Sequence, residues 1–188
     1  SPHARCPANT LDPCPRDASA HRGDHRHAPP PSRDANPVVK LLVISSSWPR
    51  FEGDYAGHFV REWVLQVGFP ATVIVPEDNR DEAPNADKPP APETPSIRVV
   101  RVPYARRAGL FYGGGALANL RRNPLVATQV PRALCALFEA AYAHARNADV
   151  IVSHWLLPDG LVGATIARLC KRPHIAVGHG SDRWLVGA

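Results

Sequence analysis

The stretch from Ala148 to Asp182 constrains the fold more than any other part of the sequence, because it has the pattern of a complete β-α-β unit. An apolar run ends in Ser153-His154, a turn and a helical stretch follow, and a second apolar run ends at Gly178-His179-Gly180. Such strands predict a parallel sheet covered on both faces. Because ligands bind at the carboxyl ends of parallel strands, the two polar clusters predict a shared crevice.

Three upstream segments also have the short, β-branched character of buried strands: Val38 to Ser45, Ala71 to Pro76 and Ile97 to Val102. The last of these alternates in polarity, which favours a position near the sheet edge. With helical stretches between the strands, the sequence predicts an α/β fold. Its sheet is a Rossmann-like, doubly wound parallel sheet in the order 3-2-1-4-5.

Two amphipathic helices support this alternation. The apolar face of the first is expected to consist of Phe59, Val60, Trp63, Val64 and Val67. The second is expected to start with Pro131 as its first helical residue and to present Val130, Leu134, Leu137, Phe138 and Ala141 to the core.

The 21 prolines are concentrated outside these segments. Residues 1–37 are rich in Pro, His and Arg and poor in large apolar side chains, so we expect a disordered tail. Residues 77–96 predict an exposed, mobile, acidic loop within a single domain that spans residues 38–188. The sequence contains no methionine, even at position 1, so we expect a fragment that does not begin at a translation start. It stops six residues after Asp182, where an α/β domain usually continues, so we also expect truncation at the C-terminus.

Several classes of function lack support in the sequence. The spacings GxGxxG, GxxxxGK[ST], GxSxG and HExxH do not occur, which disfavours dinucleotide, P-loop, hydrolase and zinc-protease chemistry. The four cysteines form no CxxC pair, and no run is apolar and long enough to span a membrane. The histidines of the tail, His21, His25 and His27, are read as solvated residues, and no metal site is predicted.

The net charge of +5 alone does not indicate nucleic-acid binding, because no nucleic-acid motif accompanies it. One basic segment interleaves four arginines with apolar residues: Arg106, Arg107, Leu110, Phe111, Leu120, Arg121 and Arg122. The segment is typical of a solvated face, and it is also compatible with contact to an anionic membrane or an acidic acceptor.

Each glycine and histidine of the predicted crevice could have a purely structural role instead of a functional one. Gly53 and Gly57 either allow a turn or bring backbone amides to a phosphate at a helix N-terminus. His154 is either a strand-end cap or a site residue, and Asp182 either caps a helix or shapes a pocket. His179 lies between two glycines, a poor place for a packing residue, which favours a functional role.

Five segments, in this order, resemble the N-terminal half of family 4 glycosyltransferases. The motifs are Ser45-Ser46-Ser47-Trp48-Pro49, Gly57-His58-Phe59-Val60-Arg61-Glu62, Tyr112-Gly113-Gly114-Gly115 with Ala118-Asn119-Leu120, Ser153-His154-Trp155-Leu156-Leu157-Pro158-Asp159-Gly160, and His179-Gly180-Ser181-Asp182. The resemblance covers most of the foldable chain.

This resemblance implies one half of a GT-B architecture, in which two Rossmann-like domains face each other across a cleft. It implies a retaining enzyme that transfers a sugar from a nucleotide-diphosphate sugar, its co-substrate, to a glycan or lipid-linked acceptor. No cofactor or metal is implied, because backbone amides and basic side chains stabilise the leaving diphosphate. The partner implied is the C-terminal donor-binding domain, whose Glu-x7-Glu motif this chain lacks.

The resemblance also assigns roles to individual residues. His179 would be the catalytic histidine near the transferred sugar, and His154 and Trp155 would line the acceptor side. The other expected acceptor- or donor-binding residues are Gly53, Gly57, Tyr112, Gly113, Asn119, Gly180, Ser181 and Asp182. The first loop has separated glycines, Gly53 and Gly57, where many relatives have adjacent ones, which leaves a phosphate contact by either of them open.

We therefore expect an acceptor-binding half-enzyme that is inactive alone and that is cytoplasmic or peripheral at the cytoplasmic face of a membrane. Transfer would require domain closure with the donor-binding domain. The alternative is a stand-alone binding module that acts with a separately encoded donor-binding partner.

Overall fold

The computed structural model describes residues 38–78, 89–91, 94–106, 108–180 and 182 of the 188-residue chain. The predicted tail and most of the predicted loop 77–96 lie outside these residues. In chain order the strands and helices are β1 Leu41–Ser45, α1 His58–Val67, β2 Ala71–Glu77, β3 Ile97–Pro103, α2 Ala116–Arg122, α3 Val130–Ala145, β4 Val150–His154, α4 Leu161–Cys170 and β5 His174–Val177. A 3-10 helix, Pro124–Gln129, precedes α3, and an irregular turn, Leu156–Gly160, precedes α4.

The five strands form one parallel sheet in the order β3-β2-β1-β4-β5, which confirms the predicted fold class. Strand β1 is central, and its Leu41 is in register with Ala71 of β2 and Val150 of β4. The chain adds β2 and β3 on one side of β1 and then crosses to add β4 and β5 on the other. The order therefore reverses between β1 and β4, and open α/β sheets bind ligands at such a point.

Helices cover both faces of the sheet, because successive strand side chains point to opposite sides. On one face Leu42 and Ile44 of β1 join a buried cluster with Leu137 of α3 and Ile166 of α4. On the other face Leu41 and Val43 join a second cluster with α1. Fully burying one such side chain stabilises the fold by about 1.5 to 3 kcal/mol.

Several element boundaries differ from the sequence prediction. Strand β1 starts at Leu41, because Val38 is 61% exposed and lies outside the sheet. Strands β2 and β3 each extend one residue further than predicted, and β3 is an edge strand as expected. Helix α3 starts at Val130, so Pro131 is its second residue.

Phe59 is the clearest departure from the predicted apolar face of α1. Val60 and Val64 are buried in the sheet-facing cluster as expected, but Phe59 remains 48% exposed. Its ring instead contacts the rings of Trp155 and His179. The first turn of α1 therefore contributes an aromatic side chain to the crevice.

Candidate functional site

The candidate site lies at the carboxyl edge of the sheet, where the loops after β1, β4 and β5 meet. Ser45, the last residue of β1, is in register with His154, the last residue of β4. His154 is in turn in register with Val177 of β5, two residues before His179. The sheet therefore brings together the two polar clusters predicted to share a crevice.

The centre of the site is a histidine pair. Nδ1 of His154 lies 3.1 Å from Nε2 of His179, within hydrogen-bond distance. His154 is buried, whereas His179 is half-buried at the crevice. Burial, and secondarily the neighbouring His179, lower the pKa of His154 to about 4. Burial also lowers the pKa of His179, and Asp182 partly opposes this shift. Both rings are therefore neutral at pH 7.

Aromatic rings surround this pair. The His179 ring centroid lies 4.6 Å from that of Trp155 and 4.9 Å from that of Phe59. Trp63, one turn further along α1, packs against the buried His154 with ring centroids 5.0 Å apart. The exposed part of the site consequently combines one half-buried imidazole with two aromatic rings, and this mixture of apolar and polar groups is typical of small-molecule sites.

Asp182 connects the loop after β5 to the turn after β4. Its Oδ2 atom accepts hydrogen bonds from the backbone N–H of His179, at 2.8 Å, and of Leu156, at 3.2 Å. The carboxylate is 4% exposed. Asp182 thus fixes the backbone that carries His179, a role that local capping alone would not have predicted.

Asp159 is fully buried beneath the crevice. Its Oδ2 atom accepts a 2.7 Å hydrogen bond from the backbone N–H of Ser46, which joins the turn after β4 to the loop after β1. Its Oδ1 atom is buried without a hydrogen-bond partner among the described residues. Burial raises the pKa of Asp159 to about 7, and the Asp182 carboxylate adds to the shift.

The opposite pKa shifts of His154 and Asp159 predict that the two groups nearly cancel in the pH dependence of stability. Between pH 6.5 and 4 the unfolded chain holds a proton on His154, while the folded chain holds one on Asp159. The variant His154→Phe retains only the contribution of Asp159 to this pH dependence. We expect this variant to gain about 3 kcal/mol of unfolding free energy relative to the wild type as the pH falls from 6.5 to 4.

Urea unfolding at these two pH values measures this difference. Asp159→Asn provides the matched comparison and should show the opposite sign, because the stabilising protonation of Asp159 at low pH is lost. If the His154→Phe and wild-type curves stay parallel with pH, the lowered pKa of His154 is wrong, and if the Asp159→Asn and wild-type curves stay parallel, the raised pKa of Asp159 is wrong.

The two predicted loop glycines have different surroundings. Gly57 has a φ of 71° and caps the N-terminus of α1, and its Cα packs directly against the backbone of Ser47 and Trp48. Gly53 has a φ of 80°, but a Cβ there would meet no atom of the described residues within 4 Å. The loop containing both lies beside the crevice, and Gly57 has a clear structural role there.

Tyr112 and Asn119 belong to a network that joins the loops after β1 and β3. The Arg50 guanidinium carbon lies 3.3 Å from the Tyr112 ring centroid, and the Tyr112 hydroxyl donates to Asp54 at 3.2 Å. Asn119 Nδ2 donates to the carbonyls of Tyr112 and Leu110. Tyr112 and Asn119 thus shape the loop, and Gly113, with a φ of 84°, turns the chain next to Tyr112.

Asp78 is a buried residue of this network that the sequence prediction missed. It accepts hydrogen bonds from the Tyr104 hydroxyl and from the backbone N–H groups of Phe111 and Tyr112, the latter two at 2.9 and 2.6 Å. Burial and the bond to Asp78 raise the pKa of Tyr104, so its hydroxyl stays protonated and donates. The composition around Asp78 predicts an exposed loop instead.

No role is predicted from the sequence for Asp54 or Asp159, although local turn patterns indicate a structural role for both. Asp54 accepts from the N–H of Ala56, two residues on, which is an Asx turn. Asp159 lies in a Pro-Asp-Gly sequence that is typical of turns.

The basic segment is only partly available for a surface contact. Arg106, Arg121 and Arg122 are exposed, but Leu110 and Phe111 are buried in the core. Those two apolar side chains therefore cannot contact a membrane.

Some predicted residues lie outside the described part of the chain. They are Ser181, Arg107, His21, His25 and His27. Gly180 is described and exposed next to His179. Within the described ranges, no helix is long and apolar enough to cross a membrane, and no three His, Cys, Asp or Glu side chains are grouped to hold a metal ion.

Comparison with known proteins does not assign a family. No family model matches the chain, and no curated protein matches it. Among solved structures the chain is similar to a double variant of Os79 from O. sativa in complex with UDP, with 18% identity and a TM-score of 0.39. The match covers 71% of this chain and 28% of the Os79 chain, and its TM-score is too low to support an argument about function.

Proposed function

We propose that this chain is the N-terminal, acceptor-side part of a retaining glycosyltransferase with GT-B architecture, similar to family 4. It would help to transfer a sugar from a nucleotide-diphosphate sugar to a glycan or lipid-linked acceptor. The observation that carries the proposal is the neutral His154–His179 pair, flanked by Phe59 and Trp155, at the point where the strand order reverses. The five ordered motifs, three of which contain these residues, also support it.

The chemistry of the crevice suits a sugar. The C–H groups on one face of a pyranose are apolar and pack against aromatic rings, while its hydroxyls need hydrogen-bond partners. Phe59 and Trp155 provide rings of this kind, and His179 provides a polar group in contact with both. Asp182 fixes the His179 backbone, so this arrangement is held in place before a ligand binds.

In this proposal a second, donor-binding domain completes the enzyme. It would bring the nucleotide and the groups that stabilise the leaving diphosphate, and closure would exclude water and align the acceptor hydroxyl. Helix α1 starts at the same edge of the sheet and has no acidic residue in its first turn, so its N-terminus would tolerate an approaching phosphate.

Binding of simple sugars to the 188-residue chain tests the proposal. We expect methyl glycosides of common hexoses to shift the ring signals of His179 in NMR spectra, with a Kd of about 1 to 10 mM. Phe59→Ala should weaken this binding about tenfold, because one aromatic face is lost. UDP and GDP should bind more weakly than the glycosides, since in this proposal the nucleotide contacts come from the second domain.

Phe69→Ala is the matched control. Phe69 is 42% exposed, close to the 48% of Phe59, but it lies beyond the C-terminal end of α1, away from the site. Equal weakening by the two variants, or no response of His179 to any glycoside, would contradict the proposed function.

A further inference from the structure

The Nε2 atom of His154 has no hydrogen-bond partner among the described residues, although it is fully buried. The other ring nitrogen, Nδ1, faces Nε2 of His179 at 3.1 Å. A neutral imidazole carries one proton, so the pair has only two consistent arrangements. Either His154 donates from Nδ1 to His179, or His154 accepts at Nδ1 from His179.

The two arrangements leave different groups buried at Nε2 of His154. If His154 donates from Nδ1, a bare lone pair is buried at Nε2. If it accepts at Nδ1, an N–H is buried there instead. The Trp63 ring packs against His154 with its plane at 75° to the imidazole plane and the two ring centroids 5.0 Å apart. An N–H beside the electron-rich face of an aromatic ring is attractive, whereas a lone pair in that place is repelled.

We propose that His154 is a positioning residue that carries its proton on Nε2, and thereby keeps the proton of His179 on Nε2 and leaves Nδ1 of His179 as a hydrogen-bond acceptor. The inference rests on the proposed function in one respect, namely that a sugar hydroxyl donates to this Nδ1 atom. The described residues offer no hydrogen-bond partner to Nδ1 of His179, so this acceptor is available to a ligand.

This assignment restricts the class of ligand at His179. An acceptor nitrogen attracts a hydroxyl and repels a phosphate oxygen, which also only accepts. The Asp182 carboxylate accepts from the His179 backbone N–H at 2.8 Å and adds negative charge near the His179 ring. The position beside His179 is therefore suited to a neutral polyhydroxyl group, and the diphosphate of a donor would have to bind elsewhere.

The surrounding groups support a neutral pair. His154 lies beside His179 and Asp182 acts on His179, and burial lowers the pKa of both histidines. The rings of Phe59, Trp63 and Trp155 also pack against the pair.

Long-range ¹⁵N–¹H NMR of the free, uniformly labelled chain at neutral pH tests the inference without a variant. We expect protonated-type nitrogen signals for Nε2 of both histidines and unprotonated-type signals for both Nδ1 atoms. The opposite pattern, with a proton on Nδ1 of His154, would overturn the inference, and so would averaged signals that show no preferred tautomer.

Two variants then separate positioning from packing. Asn at position 154 places an amide oxygen or nitrogen where Nδ1 was, whereas Leu provides volume without a polar atom. We expect His154→Leu to lose the preferred tautomer of His179 and to weaken binding of methyl glycosides about tenfold. His154→Asn should retain more of the binding. Equal behaviour of the two variants would show that His154 only fills space.

His174→Asn is the control histidine variant. His174 pairs with Ser153 Oγ at 2.9 Å and lies at the start of β5, in register with Ile151 rather than with His154, so the His179 signals should not change. The experiment also distinguishes the two proposals. The expected tautomer without glycoside binding supports the positioning role and contradicts the proposed function. Glycoside binding with the opposite tautomer supports the proposed function and contradicts the positioning role.

Discussion

Replacing Asp78 with alanine is expected to lower the free energy of unfolding by about 4 kcal/mol. The carboxylate accepts from the Tyr104 hydroxyl and from the N–H groups of Phe111 and Tyr112, and its side chain is 4% exposed. Alanine removes the acceptor but leaves three donors, two of them buried and one partly buried, and each then loses a hydrogen bond that water cannot easily replace. Urea unfolding at neutral pH measures the loss.

Asp149→Ala is the matched control for this variant. Asp149 also accepts from a backbone N–H, that of Lys40 at 2.9 Å, but this bond is exposed and water can replace it. We expect a cost of about 1 kcal/mol or less. Asp78 does not hold the loop after β3 if its removal costs no more than that of Asp149.

Gly57→Ala should destabilise the fold by about 3 kcal/mol. A Cβ atom at position 57 would lie 2.5 Å from both the carbonyl carbon of Ser47 and the amide nitrogen of Trp48. These are backbone atoms and cannot rotate away. The φ of 71° adds strain for any residue that has a Cβ. We expect the loop after β1 to move away from α1, which also disturbs the crevice.

Gly53→Ala separates these two contributions in urea unfolding. Gly53 has a similar φ of 80°, but no atom of the described residues lies within 4 Å of its hypothetical Cβ. Only the strain should remain, at about 1 kcal/mol. A similar cost for the two variants would mean that the close approach of Gly57 to the β1 loop is not needed for stability.

The sheet could be predicted from the sequence because its strands are buried on both faces. Such strands are short, continuous apolar segments, as in β1 and β4, and helical stretches separate most of them. This alternation leaves few topologies, and the order 3-2-1-4-5 is confirmed. The strand ends were less predictable, since Val38 continues the apolar pattern of β1 but has no neighbouring strand.

The sequence predicts where the candidate site lies, but not how its side chains are arranged. Polar residues that follow β4 and β5 had to lie at one edge, and the structure brings His154 and His179 into direct contact there. Their contact depends on how the two loops fold after the strands end, and no local pattern encodes that. The binding and catalytic roles assigned to these residues remain predictions.

Asp78 shows why the rest could not be read from the sequence. It lies at the start of an acidic, proline-rich stretch, whose composition is typical of an exposed loop. Its three partners are 26, 33 and 34 residues away in the chain. Phe59 is a second example, because helical periodicity places it on the apolar face, whereas neighbouring aromatic side chains keep it in the crevice.

The bond from Ser46 to Asp159 has a consequence for how the protein is made. The two residues are 113 positions apart, so the amide of Ser46 leaves the ribosome long before its carboxylate partner is synthesised. At about 5 to 20 residues per second, the interval is on the order of ten seconds. During that time the nascent chain has β1, β2 and β3 and the loop after β1. It lacks the loops after β4 and β5, which complete the crevice.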